Sequence, residues 1–139
     1  MDFSATTTDN ITEVLDKILE FTKRRDRVLI QNIKEVHTKG FVPKDLDVME
    51  FAELMSFAIT EYIRSERLLL RDTENLKFGA EGSFETLPIV DEYAKEILER
   101  DTKKYLEIQI KKLSENLINN KVAIELLEHK QCRSSTSRS

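Results

Sequence analysis

The chain is poor in backbone breakers. Its 139 residues include three glycines and two prolines, about 4% of positions where ordinary usage is about 12%. So few tight turns argue against a β-sandwich, a barrel or a glycine-rich phosphate-binding fold. Cysteine is nearly absent: Cys132 stands alone, which excludes an internal disulfide and a cysteine-based metal cluster. No apolar run approaches the roughly 18 residues that a transmembrane helix needs. Residues 1–10 are polar and lack an apolar signal core, so no cleaved secretion signal is expected. A basic excess is missing too. The formal charge is 22 − 26 = −4, without the positive footprint of a nucleic-acid-binding protein.

The few breakers fall in two places, Gly40 with Pro43, and Gly79 and Gly82 with Pro88. They leave three stretches of helix-friendly composition, which predicts an all-α fold in a single domain over 10–130. Residues 1–9 read as disordered and 131–139 as a flexible tail. Asn10 with Glu13, and Asp47 with Glu50, fit capping boxes. Apolar residues at helical spacing predict helices over about 10–38, 48–71 and 89–130. Gly40 is placed to take positive φ after a helix end, and Pro43 blocks continuation. Residues 72–88 are irregular, with room for a short extended piece.

The last helix carries the strongest pattern. Leu106, Ile110, Leu113, Leu117, Asn120, Ile124 and Leu127 are spaced 4, 3, 4, 3, 4 and 3, a heptad seam with one polar position. In the first helix Ile11, Val14, Ile18, Phe21 and Val28 form the matching stripe. A helix over 89–130 would be about 60 Å long, so it must lie along another long helix, and 10–38 is the available partner. The expected arrangement is an antiparallel coiled coil of the terminal helices, with the middle helix beside it. Its seam is completed either within the chain or by neighbouring copies. The middle helix presents Phe51, Leu54, Met55, Ala58, Ile59, Tyr62 and Leu69 as ordinary core.

Chemistry-bearing patterns are weak by comparison. Glu125 and His129 are an i, i+4 pair, but a helical metal site needs such sets from several helices. Asp91-Glu92 and the Glu96, Glu99, Arg100, Asp101 run read as exposed partners of lysine and arginine. Asp26 interrupts the basic cluster of Lys23, Arg24, Arg25 and Arg27. No nucleophile motif, phosphate loop or nucleotide fingerprint is present. An enzyme, a cofactor and a metal site are not expected.

Several residues resemble the flagellar basal-body rod proteins, and most closely the proximal members of that family. The signature of the family at the end of its first helix is N-I-A-N-x-x-T-P-G-[FY]. The corresponding stretch here runs Asn32-Ile33-Lys34-Glu35-Val36-His37-Thr38-Lys39-Gly40-Phe41. Asn32, Ile33, Thr38, Gly40 and Phe41 agree, and Lys34, Glu35 and Lys39 depart. The approach through Leu19-Glu20-Phe21, Arg25, Val28 and Leu29 is similar to the arginine-bearing stretch before the signature. Lys44-Asp45-Leu46-Asp47 with Phe51 resembles the basic-Asp-[IL]-Asp then Phe of the family, and Val90-Asp91-Glu92 its V-D-x-E. Asp101 and Tyr105 fall where the family often has Asn and Tyr. The likeness spans residues 11–127.

The resemblance implies a non-catalytic structural subunit of the bacterial flagellar basal body, in the periplasmic rod. Such a subunit is exported through the flagellar type III apparatus without a cleaved signal. It assembles helically with copies of itself and other rod proteins, its terminal helices becoming ordered against neighbours. Neither nucleic acid nor direct membrane insertion belongs to that role. The alternative reading is a helical-bundle adaptor or regulator in the cytoplasm.

Overall fold

A computed structural model of the protein describes residues 3–78 and 84–136. The order of elements is α1 (Phe3–Lys34), β1 (Lys44–Asp45), α2 (Val48–Ser65), β2 (Leu76–Phe78), β3 (Phe84–Thr86), β4 (Ile89–Val90), α3 (Glu92–Arg100) and α4 (Thr102–Thr136). The fold is mostly helical, broadly as the all-α expectation has it, with four short strands besides. β1 pairs antiparallel with β4, setting Lys44 opposite Val90 and Asp45 opposite Ile89. β2 and β3 form an antiparallel hairpin with Leu76 opposite Thr86 and Phe78 opposite Phe84. This hairpin lies in the segment read as irregular; Gly79 and Gly82 fall outside the described residues.

Helix ends differ from the sequence reading for identifiable reasons. α1 begins at Phe3, within the stretch expected to be disordered, because no glycine or proline stands before Asn10 to stop it. It ends at Lys34 and runs out through tight turns, including Thr38 N–H to Glu35 O at 2.9 Å and Phe41 N–H to Thr38 O at 3.1 Å. Gly40 takes φ +79°, the left-handed conformation a helix exit uses. No atom lies within 4 Å of where its side chain would start, so backbone conformation and not space demands glycine there.

Asp47 caps α2, accepting from Glu50 N–H at 2.9 Å. The reciprocal half of the capping box is absent. The Glu50 carboxylate instead takes Asn75 Nδ2 at 2.8 Å and ties the hairpin segment to α2. α2 stops at Ser65 and not near 71, because Glu66 turns left-handed (φ 60°) and sends its N–H to Tyr62 O. The helix expected over 89–130 is three elements. Ile89 and Val90 are strand, Asp91 caps α3 through Ala94 N–H, and Asp101 divides α3 from α4. Asp101 closes α3 through its N–H to Ile97 O and opens α4 by accepting from Lys104 N–H at 3.1 Å. α4 continues through 131–136, read as flexible tail, to Thr136; 137–139 lie outside the described residues.

One core sits where α2 and the hairpin close on α1. Phe21 and Phe51 stack with centroids 4.0 Å apart and planes 7° from parallel, and Phe84 packs against Phe51 at 6.2 Å. Val14, Leu46, Leu54, Met55 and Leu76 fill the space around them, all buried. Each such side chain contributes about 1.5–3 kcal/mol of burial. A smaller cluster of Ala94, Ile97 and Tyr105 fixes α3 against the start of α4. α1 and α4 make the most extensive contact of the fold.

Candidate assembly interface

The contact between α1 and α4 is polar. Asn120 Nδ2 donates to Thr22 Oγ1 at 2.8 Å, Asn116 Nδ2 to Thr22 O at 2.6 Å, and Asn32 Nδ2 to Gln109 Oε1 at 2.9 Å. Tyr105 OH donates to Asn32 O at 3.0 Å. Descending α1 from Asn32 to Thr22 thus means ascending α4 from Tyr105 to Asn120, so the helices run antiparallel. The row of α4 that faces α1 is Tyr105, Gln109, Asn116 and Ala123, all buried, with Lys112 and Asn120 half-buried beside them. It has the spacing of a heptad seam but consists mainly of hydrogen-bonding groups. A reading that counts apolar spacing alone passes over it.

At the junction, charge replaces amides. Arg25 forks onto Asp45 through Nε and Nη2 at 2.9 and 3.0 Å. Lys112 reaches Asp45 at 3.1 Å and Asp91 at 2.6 Å, so two cations and two carboxylates from α1, β1, α4 and the cap of α3 neutralise one another. Burial pushes the Asp45 carboxyl up, but the hydrogen bonds and charge of Arg25, with Lys112, hold it below its ordinary value. Burial works against the Lys112 ammonium as well, and Asp91 and Asp45 raise it above the ordinary lysine value. The Tyr105 phenol is pushed up to about 12 by burial and by the nearby Asp91 charge.

Asn32 holds the junction by mimicking a strand. Its side-chain amide accepts from Lys44 N–H at 3.1 Å and donates to Lys44 O at 2.7 Å, on the side of β1 away from β4. Of the other junction residues, Ile33 and Phe41 are half-buried, and Thr38 is exposed, with its hydroxyl on the Glu35 carboxylate.

The apolar seam read from the sequence divides between two destinations. On α1, Val14 and Phe21 are buried and Ile18 and Val28 half-buried, all packed in the aromatic core, while Ile11 is exposed. On α4, Asn120 faces α1, and Leu106, Leu113 and Leu127 are half-buried. Ile110 (54% exposed), Leu117 (52%) and Ile124 (36%) point outward. The α1–α4 contact is therefore rotated by about a quarter turn from the leucine–isoleucine row. The polar row takes the inner position because Thr22, Asn32 and Asp45 leave buried acceptors that only donors can meet.

Other candidate groups stay apart. The basic cluster splits, with Arg25 inside and Lys23 and Arg27 exposed, while Arg24 lies over the Phe84 ring at 5.6 Å. Glu125 and His129 are exposed on α4, and among the described residues no group of three or more metal-ligating side chains gathers. Among the described residues no helix is long and apolar enough to cross a membrane. A groove of about 310 Å³ opens between α1, α2 and α4, with Ile18, Met55 and Val122 among its lining. No family model, no curated protein and no solved structure matches the chain.

Proposed function

We propose that the protein is a non-catalytic structural subunit that assembles with copies of itself, and that its place is the proximal rod of the bacterial flagellar basal body. One observation carries the assembly half of this reading. α4 turns its polar row to α1, where only the Gln109 Nε2 stays without a partner among the row's bonded amides, and turns Ile110, Leu117 and Ile124 to solvent; exposed apolar side chains on one face mark an interaction surface. The rod half is supported by the resemblance of the 32–41 and 44–51 segments. Asn32 and Asp45, two residues that carry the resemblance, each hold the junction of α1 to the rest of the fold.

Fractionation tests the rod reading. A tagged chain expressed in a motile flagellated bacterium is expected to copurify with detergent-extracted basal bodies; recovery in the cytoplasmic fraction alone overturns it. The adaptor alternative draws on a specific feature, the hydrogen bonds from Asn32, Asn116, Asn120 and Tyr105 that join α1 to α4 within one copy. Hydrogen exchange on dilute protein separates the two. Rapid exchange along both 10–38 and 106–127 supports folding coupled to assembly, whereas strong protection in a monomer favours the adaptor.

A further inference from the structure

α2 carries a second apolar stripe, about a third of a turn from its buried face. Met49, Ala52, Ser56, Ile59 and Ile63 are spaced 3, 4, 3 and 4, and all five are exposed, Ile63 at 77% and Met49 at 69%. The stripe is large at its ends and small in its middle. The open row of α4 has Ile110, Leu117 and Ile124 one heptad apart, with Ser114 and Lys121 exposed between them. A large residue at the centre of the α4 row can seat over the small centre of the α2 stripe, with large residues meeting at both ends.

Charge selects the direction of pairing. With the helices antiparallel and Leu117 over Ser56, Ile63 meets Ile110 and Met49 meets Ile124. In that register Glu53 falls beside Lys121 and Arg64 beside Glu107. All four are exposed, the signs are opposite, and each pair lies on the same side of its two stripes; Arg64 also meets Glu61 of its own helix at 2.7 Å, so Glu53 with Lys121 is the pair that selects the direction. A parallel alignment turns Glu53 and Arg64 toward Gln109, Asn116 and Asn120, which are already engaged with α1.

We infer that the Met49–Ile63 stripe of α2 docks antiparallel on the Ile110–Leu117–Ile124 row of α4 in a second copy. This rests on the self-assembly reading above and names the surface that completes it. The two surfaces are different, so the contact is head-to-tail and continues into a ring or a filament. A contact of one helix face on another is weak between two copies and additive along an array.

Site-directed cross-linking of the full chain tests it. In a Cys132→Ser background, one tagged population carries Ser56→Cys and a second, differently tagged, carries Leu117→Cys. Mixed and mildly oxidised, they are expected to give the 56–117 heterodimer, and both changes in one chain a ladder of oligomers. Glu53→Lys is expected to lower the yield about threefold, and adding Lys121→Glu to restore it. Dominant 117–117 products would mean a symmetric α4 pairing, overturning this contact and leaving self-assembly intact. An oligomeric sample with no 56–117 product also overturns the contact alone. A chain that sediments as a monomer at every concentration overturns both.

Discussion

The aromatic cluster under α2 and the open row of α4 draw on the same kinds of side chain and meet opposite fates. Phe21, Phe51 and Phe84 lie in a closed core at 3–6% exposure, whereas Ile110 and Leu117 remain more than half exposed. The difference is not in hydrophobicity but in what each helix has on its other side. α1 and α2 have the hairpin to close on. α4 has already committed its inward side to Asn32, Thr22 and Asp45, and its apolar row is left without a partner in the chain. Apolar surface of the first kind sets stability; apolar surface of the second kind is what the proposed assembly would use.

Substitutions in the two regions sharpen this contrast. The largest effect on the fold is expected from Phe51→Ala, which removes both the stack on Phe21 and the contact with Phe84 and costs about 3–5 kcal/mol, read from chemical denaturation. Asp45→Ala comes next. It leaves Arg25 buried without its counter-charge and Lys112 with Asp91 alone, and a loss of about 3 kcal/mol is expected; a Cm unchanged from wild type would show the cluster to be solvated.

Titration follows in size. Asp45 is lowered from 3.8, so its contribution is present above that value and lost as pH falls through its folded value. Lys112 is raised from 10.5 and Tyr105 from 10.0 to about 12, so theirs are present below pH 10 and lost as pH rises through the folded values. Thermal unfolding followed by circular dichroism should show a plateau that falls at both ends, and Tyr105→Phe should remove part of the alkaline slope. The smallest effect on the fold belongs to Leu117→Asp with Ile124→Asp. Stability is expected to stay within about 0.5 kcal/mol of wild type while sedimentation shows assembly abolished. Intact assembly in that variant would break the comparison.

What the sequence made legible was local. Gly40 after α1, Asp47 before α2 and the helical majority all follow from side chains acting within a few residues of themselves. The division at Asp101 was obscured because the apolar periodicity runs across it, and the end of α2 because Glu66, with no glycine to announce it, adopts the left-handed cap. The seam itself was displaced for a different reason. The rows through Leu106 and through Tyr105 have similar spacing along one helix, and what chooses between them lies far off in the chain. Asn32 is 77 positions from Gln109, and Thr22 is 98 from Asn120. Counting apolar residues has no access to acceptors that distant, whereas the closed aromatic core declares itself through the residues that fill it.

The amide of Asn32 on Lys44 has a wider consequence. A two-residue strand with one side open would offer its main chain to any extended segment that came near, and a protein with exposed apolar rows can ill tolerate such a template. Here one side of β1 is taken by β4 and the other is closed by a single side chain. That closure denies growth by strand addition at β1, so copies meeting there must meet through side chains on rigid helices. Such contacts have a fixed register and come apart again, which separates an ordered array from an aggregate.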